Sequence, residues 1–400
     1  MPQYFFRARD AQGLLVSGTI DADNYSEAVK AVQDKKVYPV EIKEIIQGRN
    51  ISIEFSKVKV SDLAIFCRQF ATLLNAGISI ANCFDILRQQ TSNKKLRDVL
   101  GQIYEDVQKG KSLSESMRSY SVFPEILINM IEAGEVSGRL DMVLDRMAVY
   151  FEKENATNQK IKAALTYPAI VSVVAVLVVI FLVSYVLPTF INMLTSAGAQ
   201  LPLPTKILLT VSFILGHFWY YIFAILFLTA LSLYRYIKTP EGRRMYDWIK
   251  LKAPIFGNLN RRVITSRFTR TLGVLLASGI PVMQAMQVVE KVVGNVIVAE
   301  GLKRAEEGIR QGKGLSKPLS SIGVFQPMVI QMISVGEESG MLDSLLDKTA
   351  DFFDGEVDRA VSQMTTMLEP VIILVLAVVV GFIVISIVMP MFQMYNTIKY

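Results

Sequence analysis

Charged side chains vanish from this chain three times, and the gaps organise the rest of it. No Asp, Glu, Lys or Arg occurs over 163–205, 207–234 or 370–398. A bilayer core excludes exposed ionised side chains and takes about 20 apolar residues to cross as helix, so each gap predicts one span. The apolar heart of the first lies between Pro168 and Pro188 and amounts to about 28 Å of helix, which places a span at 168–188. A second is placed at 217–236. His217, Phe218, Trp219, Tyr220 and Tyr221 read as an interfacial aromatic belt at its start, with Tyr234 and Tyr236 at its end. Thr205 to Gly216 reads as an interfacial extension of that same helix, inside a connecting segment at 189–216. The third span is placed at 370–390, with a tail at 391–400. Residues 1–10 lack an apolar h-region, so no signal peptide is expected.

Before the first span the apolar positions repeat with a helical period. Phe66, Phe70, Leu73 and Leu74 form an i, i+4, i+7, i+8 stripe, opened by Ser61 as N-cap and closed by Gly77. A second helix runs to about Gln90. A third covers 93–109 and ends at Gly110, and a short fourth covers 113–120. Pro124 opens a fifth that stops at Gly134. Ser137 caps a sixth, which continues through Tyr167 into the first span. Six helices with short turns predict an antiparallel bundle at 60–167. The first residues differ: 4–8 and 14–20 alternate around Asp10-Ala11-Gln12-Gly13 as a hairpin, 26–35 reads as a helix and 40–45 as a strand. This predicts a small α/β module at 1–55, joined to the bundle by a linker at 47–59.

The bundle occurs twice. Phe66, Arg68, Leu73, Leu74, Gly77 and Ile78 return 202 residues later as Phe268, Arg270, Leu275, Leu276, Gly279 and Ile280. The same offset carries Gly110-Lys111 onto Gly312-Lys313, Gly134-Glu135 onto Gly336-Glu337, and Gly138 onto Gly340. It also carries Leu140, Asp141, Leu144 and Asp145 onto Leu342, Asp343, Leu346 and Asp347. Pro168 and Pro188 map onto Pro370 and Pro390, so the repeat enters the membrane. Each copy is a bundle plus a span, with the second bundle at 240–369, and the middle span lets both bundles face one side.

Charge assigns that side. The chain carries 42 basic and 36 acidic side chains, a net +6, at 52% hydrophobic residues and mean hydropathy +0.37. Residues 235–270 alone hold ten basic side chains against Glu241 and Asp247, whereas 188–206 holds only Lys206. The positive-inside rule puts 1–167 and 237–369 in the cytoplasm, with 188–206 and the tail outside. Because the basic excess is juxtamembrane and lacks interleaved stacking aromatics, its expected partner is anionic lipid and not nucleic acid.

Candidate chemistry is sparse. One histidine and two cysteines exclude disulfide frameworks, zinc clusters and multi-imidazole haem sites. Gly110-Lys111-Ser112 ends like a phosphate loop, but Glu105 stands where the first glycine belongs. His217 is read as an interfacial residue beside Trp219, and Cys67 and Cys83 as buried thiols. Glu135, Asp141 and Asp145 are read as solvated acids in preference to a calcium site. No catalytic residue, cofactor or metal is assigned, and no enzymatic activity is expected. The competing classes are an oligomeric transporter or channel, which needs polar pore-lining positions, and a membrane enzyme, which needs converging acid and base groups.

Several segments together resemble the inner-membrane platform proteins of type II secretion and type IV pilus assembly, MSHA-type pili included. They are Phe66-x-Arg68-Gln69 through Ala76-Gly77-Ile78, Gly134-Glu135-x-x-Gly138, Thr166-Tyr167-Pro168, Leu201-Pro202-Leu203-Pro204-Thr205, Gly336-Glu337-x-x-Gly340 and Glu369-Pro370. Ser79 departs from the proline common in that family, although Pro281 fills the equivalent place in the second copy. The resemblance covers residues 60–400 strongly and the first 55 loosely. It implies a multi-pass, non-enzymatic inner-membrane core component that couples a cytoplasmic assembly ATPase to insertion of pilins or pseudopilins. It also implies contact with other inner-membrane assembly proteins and homo-oligomerisation.

The fold class expected is therefore mainly α: two repeated six-helix bundles, three transmembrane helices and a small α/β module. Counting helix directions back from the membrane puts the turns at Gly77, Gly110 and Gly138 on one membrane-distal face. Gly77, Gly110, Lys111, Gly134, Glu135 and Gly138, with Gly279, Gly312, Lys313, Gly336, Glu337 and Gly340, are thus the candidate partner-binding residues. Reversal of the charged four is expected to change partner affinity while costing the fold little.

Overall fold

In the computed structural model the described residues are 3–9, 15–22, 25–34, 38–45, 57–196, 202–254 and 256–397. They form two compact units, 1–57 and 58–400. The first contains β1 (Gln3–Arg9), β2 (Leu15–Asp21), α1 (Tyr25–Asp34) and β3 (Tyr38–Ile45). β1 is central in the order β2-β1-β3 and pairs antiparallel with both neighbours, Tyr4 opposite Ile20 and Glu44. Ala8 and Val32 are buried. The expected hairpin turn at 10–13 and most of the expected linker, 47–56, lie outside the described residues.

The second unit opens with α2 (Val60–Asn75), α3 (Ile80–Gln90), α4 (Lys94–Gln108), α5 (Leu113–Arg118), α6 (Glu125–Ser137) and α7 (Leu140–Phe181). A π-helical turn, Leu182–Val186, leads into α8 (Leu187–Ser196); α9 (Leu203–His217), α10 (Trp219–Ile237) and α11 (Pro240–Lys252) follow. The repeat then returns as α12 (Phe256–Ala277), α13 (Val282–Val292), α14 (Val296–Arg310), α15 (Ser316–Ser320), α16 (Pro327–Ser339) and α17 (Leu342–Thr397). The bounds of α3, α4 and α6 and the first residue of α7 recur at the offset of 202. α12 starts earlier than its counterpart, and α11 has none.

Local chemistry explains the boundaries and corrects several expectations. α2 starts two residues earlier than a Ser61 cap requires: Lys59 is the cap, and its backbone N–H donates to Asp62 Oδ2 at 2.9 Å. At the other end Gly77 adopts φ +78°, and Ile78 N–H reaches back to Leu73 O at 3.1 Å, the left-handed closure glycine permits. The fifth helix does not stop at Gly134 but runs on to Ser137. Gly134 is buried where a Cβ would lie 3.1 Å from Leu140 Cα, so it lets α6 and α7 approach. Ser137 does not cap the sixth helix; its hydroxyl donates to Ala133 O at 2.7 Å within α6, and Gly138 at φ +66° makes the turn.

Phe66, Phe70, Phe84 and Phe123 form the aromatic centre of the first bundle, with Phe66–Phe70 centroids 5.7 Å apart. Phe268 and Phe325 pack with tilted rings, centroids 4.4 Å apart, in the second, and both bundles share one continuous apolar core.

Three helices are long and apolar enough to span a membrane, within Leu140–Asn192, Trp219–Ile237 and Leu342–Pro390. The first and third are continuous with the last bundle helices: α7 passes through Pro168, and α17 through Pro370 and Pro390. Proline lacks the N–H for an i→i−4 bond and crowds that carbonyl. The π-helical turn just before Pro188 supplies the slack there. α9 is not an extension of α10. The chain breaks at Phe218 (φ −113°, ψ 17°), and α9 packs on the other two spans, Thr205 Oγ1 donating to Ser386 O at 2.7 Å and Ser212 Oγ to Val183 O at 2.8 Å. His217 stacks on Phe213 at 5.4 Å, on the α9 side of that break.

Candidate functional site at the membrane-distal turns

α2 and α7, like α12 and α17, lie antiparallel. Arg262 meets Glu356 (3.1 Å), Ser266 meets Asp354, and Arg270 meets Asp351 (2.9 Å), while Gly273 lies against Leu346 and Asp343. Gly77 and Gly279 are thereby carried level with the starts of α7 and α17. Those starts stand about 40 Å of helix from Pro168 and Pro370, at 1.5 Å per residue.

The other two turns meet there through one carboxylate per bundle. Glu135 accepts from Leu113 N–H, from Ser114 N–H at 3.0 Å and from the Ser114 hydroxyl. Glu337 accepts from Leu315 N–H and from Ser316 N–H at 3.1 Å. These side chains satisfy the open N–H groups at the starts of α5 and α15 from the ends of α6 and α16. Gly314 (φ +70°) lies 3.2 Å from Glu337 Oε1 measured at its ideal Cβ, where a larger residue would crowd the carboxylate. The structure thus brings Gly77, Gly110, Gly134, Glu135 and Gly138 to one end of the first bundle, and their counterparts to one end of the second.

It also changes the role of the acids. Glu135 and Glu337 are half-buried caps, not free surface charges, so their reversal acts on the fold first. Lys111 and Lys313 remain exposed; Lys111 Nζ pairs with Asp106 at 3.0 Å, which holds its ammonium above the ordinary range. Glu135, Asp141 and Asp145 do not converge, because Asp145 turns to Arg68. Among the described residues no group of three His, Cys, Asp or Glu is placed to hold a metal ion. Cys67 and Cys83 are buried as expected, and desolvation pushes both thiols up.

Sequence reasoning missed the ion pairs behind these turns. Arg68 Nε lies 2.8 Å from Glu152 Oε1, holding that carboxyl below its usual range, and also pairs with Asp145. Arg270 binds Asp347, Asp351 and Asp354. The signal was present, since Arg68 and Asp145 recur together at the offset of 202.

Two bundles of this build, each ending in a helix that becomes a span, match one family model twice: type II secretion system protein F, over residues 66–188 and 268–390. Its N-terminal domain model matches residues 1–43. The chain belongs to the type II secretion system protein F family. It is 41% identical to the type IV pilus assembly protein PilC of Thermus thermophilus over the whole of both chains. Identity is 34% to PilC of Myxococcus xanthus, over 99% of this chain and 96% of that one. It is 32% to type II secretion system protein F of Vibrio cholerae, over 99% of each. Family membership and the three apolar helices make it an inner-membrane platform protein of the secretion and pilus class, not a member of an enzyme family.

Proposed function

We propose that the chain couples a cytoplasmic assembly ATPase to the insertion of pilins or pseudopilins. The observation that carries this reading is the continuity of α7 and α17, each a single helix from the distal turns into a span. Such a helix moves as a rigid lever, so a displacement imposed at the distal face arrives at the spans. There α10 has no buried residue and presents its whole apolar surface outward, where a pilin transmembrane helix or another inner-membrane assembly protein docks.

In this reading both bundles and the N-terminus are cytoplasmic and the C-terminus is periplasmic. α11 lies at the cytoplasmic surface. It exposes Trp248, Ile249 and Met245 beside Arg243, Arg244, Lys250 and Lys252, a pairing of apolar wedge and basic charge suited to anionic lipid. The chain also acts as a homo-oligomer.

The test is affinity purification of the full chain from its native membrane, comparing wild type with Lys111→Glu combined with Lys313→Glu. Both lysines are exposed, so the variant keeps the fold while reversing the charge of the distal face. Wild type is expected to bring down an ATPase and pilins, and the variant to lose the ATPase selectively. Equal ATPase recovery and equal pilus or secretion output at normal protein levels would refute the assignment of this face.

A further inference from the structure

The two bundles of one chain meet through unlike faces. α12 of the second lies along α7 of the first: Arg267 pairs with Glu154 at 3.2 Å, the Thr271 hydroxyl lies 3.1 Å from the Tyr150 hydroxyl, and Arg146 donates to Ser278 Oγ at 3.1 Å. Lys291 on α13 meets Glu125 on α6 at 2.6 Å. A two-fold arrangement would repeat these contacts with the roles exchanged, α2 lying along α17. Among the described residues no side-chain hydrogen bond or ion pair joins α2 to α17. The contact is therefore head-to-tail, and each bundle uses one of two complementary faces.

The unused faces are copies of the used ones. On α2, the places of Arg267, Thr271 and Ser278 are taken by Ile65, Gln69 and Ala76. On α17, the places of Glu154, Tyr150 and Arg146 are taken by Glu356, Phe352 and Lys348. Covered Tyr150 is 3% exposed, whereas Phe352 is 42% and Ile65 58% exposed. An uncovered phenylalanine and isoleucine at these two homologous places need an occupant, and the residue that would meet each is already given by the repeat.

We infer that the chain self-associates head-to-tail, with α2 of one copy seated on α17 of the next, in the manner of α12 on α7. Superimposing the internal junction on the open faces sets Ile65 against Glu356, Gln69 against Phe352 and Ala76 against Lys348. No like charges meet, and Ile65 lies within a turn of Phe352, so apolar contact replaces the internal ion pair. The Lys153–Asp351 and Lys160–Asp358 bridges hold α7 and α17 parallel. The operation relating successive bundles thus leaves the spans of α7 and α17 crossing the membrane in the same sense. A heterologous contact of this kind closes into a ring when its rotation permits and otherwise propagates.

The experiment uses two full-length, differently tagged chains, one Gln69→Cys and the other Phe352→Cys, co-expressed in native membranes and treated with a short bis-maleimide. Native Cys67 and Cys83 are buried, and the parent chain provides the blank. A crosslinked species bearing both tags is expected, and none where every chain carries the same single cysteine. Absence of the mixed species, equally strong self-crosslinking of either cysteine alone, or capture of a different protein in its place overturns the inference. A second arm varies Ile65, whose exposure spares the fold. Glu356 already pairs with Arg262 and Arg359, so this arm relies on repulsion: Ile65→Glu sets a second carboxylate beside Glu356 and lowers the mixed species several-fold, and Ile65→Val leaves it unchanged. No loss with Ile65→Glu, or an equal loss with both variants, also overturns it.

Discussion

Arg68 and Arg270 occupy equivalent places in the two bundles, yet the Arg68 side chain is 40% exposed and that of Arg270 only 7%. Arg270 lies beneath the junction where α12 crosses α7 and α17, with Asp351 and Asp354 as hydrogen-bond partners. Truncating Arg270 removes a buried side chain together with its bonds to Asp351 and Asp354, whereas an exposed pair contributes about 1 kcal/mol or less. Arg270→Ala is therefore expected to lower the thermal midpoint of the detergent-solubilised chain far more than Arg68→Ala. Equal shifts would show that burial at the junction does not set the energetics.

Glu135 and Glu337 act on the fold as caps. Loss of a helix cap costs about 0.5–2 kcal/mol. Glu135→Gln keeps one acceptor and is expected to cost less than Glu135→Ala in thermal unfolding, and Glu135→Lys the most. A neutral Glu135→Lys would remove the capping role.

Two glycines four positions apart respond for different reasons. At Gly336 a Cβ would lie 2.9 Å from Leu342 Cα, backbone that cannot move aside, so Gly336→Ala costs about 1–3 kcal/mol by overpacking. At Gly340 the space is open but φ is +69°, and alanine there costs about 1 kcal/mol through backbone strain alone. Gly340→Asn, which tolerates that conformation, should recover most of the second loss and Gly336→Asn none of the first, as read by unfolding midpoints.

Acid weakens the junction between α7 and α17. Burial opposes ionisation of Asp351, but hydrogen bonds from Lys153 and Arg270 outweigh it, and the carboxyl is held below its ordinary range. A depressed carboxyl stabilises the fold above its unfolded value, about 4, and loses that contribution as pH falls through the folded value. The gap in thermal midpoint between wild type and Asp351→Asn should be present at neutral pH and shrink below about pH 4. A gap unchanged in acid would remove Asp351 from the linkage.

The basic segment after α10 predicts the topology. Cysteines introduced after Gln200 and Tyr400 are expected to react with a membrane-impermeant maleimide added from the periplasm, and one at exposed Lys111 only after permeabilisation. The opposite pattern would invert the orientation.

The number and order of helices within each repeated bundle were legible because their signals are local, whereas α9 was read as part of α10 and α11 was not foreseen. The apolar period fixed the stripe of α2, proline and glycine marked most turns, and the offset of 202 let the second bundle be read from the first. Boundaries failed where two residues compete for one role. Ser61 and Ser137 both carry capping hydroxyls, but Asp62 reaches Lys59 N–H, and Ser137 bonds back within α6. A glycine reads as a terminator, yet Gly134 is a contact between helices, which sequence spacing does not express.

The sequence by itself determined three apolar spans, a duplicated bundle and the continuity of each last helix with a span. Charge exclusion from a bilayer and helical periodicity act through residues near in the chain, and duplication is written in the letters themselves. Only the tertiary structure decided what the repeated residues do. Glu135 and Leu113, Arg270 and Asp351, and Tyr150 and Thr271 are far apart in sequence, and each pairing depends on which faces of two helices pack together. The same dependence separates the copies: with nearly the same pattern in both, packing covers Tyr150 and leaves Phe352 open, because one chain supplies one junction for two pairs of faces.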